Sequence, residues 1–192
     1  MSKWQTNSLF RGEHHNLIQH GQGKEYSSDG FYTGEWQNGL KHGTGTEIKT
    51  DGSYYKGQWS KNQKHGDAAI DFSGPDNASY SGSVSQGKLD GYGFYKSKAI
   101  IYEGEFKHDS KEGEGTLLNP DGTFEYHGNW KKGIRHGNGI RQYQDGSEYV
   151  GSFFNNKKHG KGKETYSNED IYEGQFQNDM RHGKGTYTWR NG

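Results

Sequence analysis

One short frame returns eight times along this 192-residue chain, and that recurrence limits the folds open to it more than any other feature. Each copy starts at an aromatic residue: Phe10, Tyr32, Tyr55, Tyr80, Tyr102, Tyr126, Tyr149 and Tyr172. The steps between starts run from 22 to 25 residues. Counting each start as position 0, positions 2 and 11 are always Gly. Position 13 is Gly in seven copies, with Ala68 the exception. Position 4 holds Trp36, Trp59, Phe106, Trp130, Phe153 and Phe176, with His14 and Val84 departing. Position 10 holds His20, His42, His65, His136, His159 and His182, with Asp90 and Glu112 departing.

Side chains alternate across a strand, so positions 0, 2 and 4 put aromatic, glycine and aromatic on one face. A second strand starts at position 13, as in Gly185-Thr-Tyr187-Thr-Trp189. Glycine between rings leaves room for a ring from the neighbouring strand. Between copies stand Asp29-Gly30, Asp51-Gly52, Asp121-Gly122 and Asp145-Gly146, pairs that suit tight hairpin turns at positive φ. The prediction is all-β: an elongated, single-layer antiparallel meander of eight hairpin repeats, sixteen strands in all and solenoid-like. Residues 1–9 form a lead, and 10–192 the array. Strands about 4.8 Å apart would give eight repeats a length on the order of 75 Å.

Composition then says what can be buried. Only 26% of residues are hydrophobic and the mean hydropathy is -1.31, values that suit a disordered chain. Aromatics, however, reach 15%, so the expected core is a thin layer of rings rather than a thick aliphatic one. The 24 basic and 24 acidic residues balance, giving no electrostatic reason to expect nucleic acid. Cysteine is absent, which excludes disulfides and Cys-based zinc sites. No apolar run approaches a membrane span, and Met1 to Leu9 lacks the apolar region of a signal peptide. A cytoplasmic chain is the expectation.

The histidine row invites a metal reading, but equivalents on successive repeats would stand about 9.6 Å apart. A shared zinc needs each ligand nitrogen within about 2.1 Å. A histidine hydrogen-bonded within its own hairpin is expected instead. No serine stands in a nucleophile elbow, and Gly87-Lys88 lacks the spacing of a phosphate loop. The chain therefore reads as no enzyme, with no catalytic residue, metal or cofactor.

Two surfaces remain. The row Trp36, Trp59, Phe106, Trp130, Phe153 and Phe176 reads as an aromatic face whose rings mainly stack on one another along the array and in part receive a partner peptide or helix. Positions 5 to 12 carry 14 Lys or Arg against six acids. The candidate basic edge comprises Lys41, Lys64, Lys111, Lys131, Lys132, Arg135, Lys157, Lys158 and Arg181, offered to an acidic partner or to anionic phospholipid headgroups. The opposite turns are acidic, with Asp29, Asp51, Asp76, Asp121, Glu125, Asp145, Glu148, Glu169 and Asp170. Repeats four and five, with Val84, Asp90, Glu112 and the loop Gly74-Pro75-Asp76, read either as a division of the array or as drift. The last copy ends at Asn191-Gly192, and an open edge strand pairs readily, so a homodimer through terminal repeats is a further expectation.

The frame Tyr126-His-Gly128-Asn-Trp130, then Gly133, His136-Gly137 and Gly139, resembles the MORN (membrane occupation and recognition nexus) repeat, with near-complete coverage from Phe10. The resemblance implies an extended hairpin array and a scaffold role in cytoskeletal or ciliary assemblies, radial-spoke heads among them. Its partners would be other proteins of a larger assembly. A peripheral phosphoinositide-binding adaptor is the alternative. Catalysis in such proteins resides in other domains.

Overall fold

The computed structural model describes residues 8–191, so most of the expected lead, and the end at Gly192, lie outside the described residues. The chain divides into two compact units, at Lys98 and Ala99. That division falls in the stretch between repeats four and five that the sequence marked as deviant.

In unit 1 the strands are β1 (Leu9–His15), β2 (Ile18–Ser27), β3 (Gly30–Gln37), β4 (Leu40–Lys49), β5 (Tyr54–Ser60), β6 (Gln63–Phe72), β7 (Ala78–Ser85) and β8 (Lys88–Lys96). Unit 2 holds β9 (Ile101–Lys107), β10 (Ser110–Leu118), β11 (Phe124–Lys131), β12 (Ile134–Gln142), β13 (Glu148–Phe154), β14 (Lys157–Thr165), β15 (Ile171–Gln177) and β16 (Met180–Thr188). Within each unit every strand pairs antiparallel with the next in sequence, an open meander. No helix occurs among the described residues. Each repeat supplies one hairpin, as its pattern predicts.

The Asp-Gly pairs at 51–52, 121–122 and 145–146 do lie in the turns between copies, but they are not the tightest turns. The tight turn lies inside each repeat, at positions 6 and 7, where both residues have positive φ: Asn38 (51°) and Gly39 (77°), Asn155 (50°) and Asn156 (68°). This is the two-residue turn whose twist matches the flanking strands. Asp51-Gly52 instead belongs to a three-residue loop, in which Gly52 N–H donates to Lys49 O (3.0 Å) and Lys49 N–H to Ser53 O (2.9 Å). Only the glycine is left-handed there (φ 89°). The Asp51 carboxylate accepts from the Ser53 amide and hydroxyl, and Asp121 and Asp145 repeat the arrangement. A type I turn followed by a left-handed glycine uses aspartate for its side-chain acceptor.

The glycine at position 11 sits at a β-bulge. Gly34 faces Gly45, but Glu35 next to it faces His42, so the second strand gains residues at Gly43 (φ 58°). The displaced Thr44 amide donates to the Glu35 carboxylate at 2.8 Å, and the Thr44 hydroxyl donates to the same oxygen at 2.7 Å. These bonds hold Glu35 below the usual carboxylate range.

The core is a ladder of rings. Tyr32, Tyr55, Tyr102, Tyr126 and Tyr149 are fully buried. Tyr126 meets Trp130 of its own repeat edge-on at 5.1 Å and Phe153 of the next at 5.3 Å, the favoured geometry for the ring quadrupole. Its hydroxyl donates to Asn129 O at 2.9 Å. That bond lays the ring across Gly128 and Gly139, where an added Cβ would stand 2.5–2.7 Å from ring or hydroxyl atoms. The paired glycines thus accommodate the tyrosine of their own repeat, which for the position 13 glycine is a ring from the neighbouring strand, as the alternation suggested.

Candidate functional site

The structure places the six expected partner-binding rings inside the ladder. Trp36, Trp59, Phe106, Trp130, Phe153 and Phe176 are only 2–6% exposed. The expectation of an open aromatic groove is corrected: each ring packs edge-on against the tyrosine of its own repeat, and Trp59, Trp130, Phe153 and Phe176 also against that of the preceding repeat, so little of them is left to meet a partner. Trp59 and Trp130 also satisfy their indole N–H groups internally, on Gly45 O (3.3 Å) and Gly115 O (3.1 Å).

The basic edge is corrected as well. Position 9 faces the aromatic of position 4 across the hairpin, as in Trp36↔Lys41 and Trp130↔Arg135. Its long side chain therefore lies over the rings. Lys41 Nζ stands 4.8 Å from the Tyr32 ring centre, Lys64 4.8 Å from Tyr55, Lys111 4.8 Å from Trp130 and Lys158 5.3 Å from Phe176. Arg135 and Arg181 cover Tyr126 and Tyr172. Cation–π attraction and packing of the aliphatic stems explain the inward fold. Of the nine expected cations, Lys131, Lys132 and Lys157, together with Arg181, are exposed.

What sequence reasoning missed is position 15, which shares the ring face because it pairs with position 0 (Tyr32↔Glu47, Tyr126↔Arg141). Its occupants are Glu25, Glu47, Ile70, Tyr95, Leu117, Arg141, Glu164 and Tyr187. No residue type recurs enough to draw attention; only its alternation with the ring positions could have revealed it.

In unit 1 this column carries acids that pair with the folded-in lysines. Glu47 lies between Lys64 (2.8 Å) and Lys41 (3.8 Å), and Lys41 also meets Glu25 (3.5 Å). In unit 2 Glu164 continues the acidic pattern, but the column carries a base at Arg141. Arg141 joins Arg135, and both approach one oxygen of Glu125, at 3.8 Å and 3.2 Å. Burial pushes Arg135 below the usual guanidinium range, with Arg141 adding repulsion and Glu125 opposing. Burial likewise pushes Lys111 down. Lys158 is paired with Glu164.

Two histidines of the position 10 row lack the expected hydrogen bond. His136 and His159 pack against Phe154 at 5.2 and 5.6 Å, and their buried Nδ1 atoms have no partner. The expectation of a hairpin hydrogen bond is corrected for these two, since position 10 lies on the face away from the ring ladder and its neighbour there is a ring. Among the described residues no group of three or more His, Asp or Glu is placed to hold a metal ion.

A glycine-paired hairpin, closed by a buried tyrosine and repeated with a freely varied side-chain column, defines a repeat-type interaction module. The chain belongs to the MORN repeat family, whose repeat model matches residues 18–30, 32–54, 55–66, 80–98, 102–124, 126–148, 149–171 and 172–192. MORN repeats generally mediate protein or membrane interactions. In the first copy the match begins only at Ile18, beyond His14, which stands where the other copies carry an aromatic or Val84.

Proposed function

We propose that this chain is a non-catalytic scaffold that docks other proteins in a cytoskeletal or ciliary assembly of the cytoplasm. The observation that supports the reading most is the division of labour within the repeat. The recurrent residues are spent on the sheet: tyrosine on its glycine pair, aromatic against tyrosine, cation over ring. The position 15 column, by contrast, varies from copy to copy, with acid and apolar residues in unit 1 and apolar, basic and acidic ones in unit 2, so each repeat carries its own chemistry on a shared frame. Residues that vary on a fixed backbone set partner specificity.

The test is proximity labelling from the full chain in ciliated cells, followed by pull-down with purified candidates. Cytoskeletal or axonemal proteins captured directly support the reading; recovery of soluble metabolic enzymes alone overturns it. The exposed turn lysines Lys131, Lys132 and Lys157 favour a second reading, attachment to anionic phospholipid, because charges near such a surface contribute about 1 kcal/mol each. Flotation with phosphoinositide vesicles at physiological salt tests it. Loss of flotation in the Lys131→Glu, Lys132→Glu, Lys157→Glu chain supports it, and absence of flotation by the unaltered chain removes it.

A further inference from the structure

Arg141 at position 15 leaves a charge gap in unit 2 that no ion pair among the described residues closes. In unit 1 a carboxylate, Glu47, sits between the position 9 cations of two successive repeats. The corresponding place between Arg135 and Lys158 holds Arg141, a third cation. Lys158 is occupied by Glu164, so Arg135 and Arg141 are left to share Glu125, and they share a single oxygen of it. Their side chains are 15% and 27% exposed, and the Nε–H groups of both are buried without an acceptor. Buried donors are ordinarily satisfied, and unpaired ones are costly. Two guanidiniums against one carboxylate, with Lys111 also close enough to act on Arg135 and Glu125, leave an excess of positive charge. Arg141 also lines a cleft of about 930 Å³, with Phe124, Tyr143 and the loop carrying Asn119 and Thr123 on its walls. The cleft gives room for an incoming side chain rather than for a small ion alone.

We propose that the Arg135–Arg141 pair is a docking slot for a carboxylate of a partner protein, an Asp or Glu side chain inserted beside Glu125. An incoming monoanion offsets the excess, and a carboxylate is the group that Glu25 and Glu47 supply at the same frame position. The planar guanidinium fork suits it. The proposal deepens the scaffold reading and rests on it for the source of the carboxylate.

The probe is the peptide amide acetyl-Gly-Asp-Gly, titrated into the full chain at constant ionic strength. The readout is the Nε–H resonances of Arg135 and Arg141. Saturable shifts are expected, with affinity falling roughly tenfold or more in Arg141→Gln, the scale of a lost charge-assisted hydrogen bond. Arg141→Glu rebuilds the unit 1 arrangement from within; it is expected to stay folded and to lose peptide binding. No shift, equal shifts with sodium chloride alone, or binding unchanged in both variants overturns the proposal. Binding to phosphatidylserine vesicles through Arg141 without binding to the peptide also overturns it. Partner capture that survives Arg141→Glu removes this slot while leaving the scaffold reading intact. Failure to capture any partner removes the scaffold reading, and the peptide titration still reports on the slot.

Discussion

The two units are built from the same frame and differ in how completely they use it. In unit 2 the ring ladder runs through four consecutive repeats: Tyr102 to Trp130, Tyr126 to Phe153 and Tyr149 to Phe176, each edge-on at 5.0–5.5 Å. In unit 1 the equivalent contacts join Phe10 to Trp36 and Tyr32 to Trp59, and then position 4 becomes Val84, buried but without a ring. The charges show the opposite pattern. Unit 1 closes its inward lysines with carboxylates, whereas unit 2 does so for Lys158 but leaves two arginines sharing one. The lesson is that the frame fixes backbone and tyrosine, while ring completeness and charge closure are separately adjustable.

The largest effect should strike what the units share. Burial pushes Tyr55 and Tyr80 in unit 1, and Tyr126 in unit 2, up to about 12. The neutral phenol is the form that fits the ladder. With folded values raised above the unfolded 10, this stabilisation is complete below pH 10 and disappears as pH climbs towards 12. Both units are therefore expected to unfold together in that window, with tyrosine absorbance at 295 nm rising as circular dichroism is lost. Tyrosines that ionise at pH 10 with the sheet intact would show that the ladder does not hold it.

Next comes the ring on which the units differ. Phe153→Ala removes a ring clasped by Tyr126 and Tyr149 and should cost about 3–5 kcal/mol. Val84→Ala, at the same frame position, deletes two methyl-sized groups at roughly 0.8 kcal/mol each plus a small cavity. Peptide-resolved hydrogen exchange should show the loss in unit 2 as the greater. Equal losses would mean that edge-on ring contacts add nothing beyond area.

The legibility of the molecule follows from what repeats. Strand number, antiparallel order and the Tyr-Gly-aromatic face could be read because sterics demand the same residue in every copy. The bulge glycine was visible as a constant but not as a bulge, since register depends on the pairing of Glu35 with His42. The tight turn inside each repeat was not located because Asn38-Gly39 and Lys61-Asn62 share a conformation without sharing letters, whereas the Asp-Gly turns between copies recur conspicuously. The basic edge was misread for a geometric reason: sequence gives a lysine's position, not the direction of a flexible side chain drawn onto a ring. Arg141 was missed because a column defined by variation has no motif.

Charge closure gives a smaller effect. Glu47→Gln leaves Lys64 without its partner at 2.8 Å and Lys41 with Glu25 alone. These side chains are 19–25% exposed, so solvent screens them and the cost should be about 1 kcal/mol. The loss should shrink in 1 M salt, where the Debye length is about 3 Å. Chemical denaturation in urea at low and high salt measures it. A cost that does not respond to salt would mean that the side chain acts by packing, and the contrast between the units would then not be electrostatic.

The smallest effect lies inside unit 2, between turns of one design. The loops at Asp121-Gly122 and Asp145-Gly146 place glycine at the left-handed position, with φ 87° and 85°. The loop at Asn168-Glu169 keeps the same hydrogen bonds, Tyr166 N–H to Asp170 O and Glu169 N–H to Tyr166 O, both 2.9 Å. Here, however, Glu169 is held at φ 69°. A side chain there costs roughly 1 kcal/mol that glycine avoids. The Glu169–Arg190 ion pair at 3.2 Å joins side chains 64% and 58% exposed, and such pairs contribute little. Glu169→Gly should therefore stabilise unit 2 by a few tenths to about 1 kcal/mol, the entropy of the more flexible unfolded chain taking back part of the relief. Urea denaturation of the variant beside Arg190→Ala separates the two contributions. Destabilisation by both variants would show that the ion pair, not the backbone, selected glutamate at this turn.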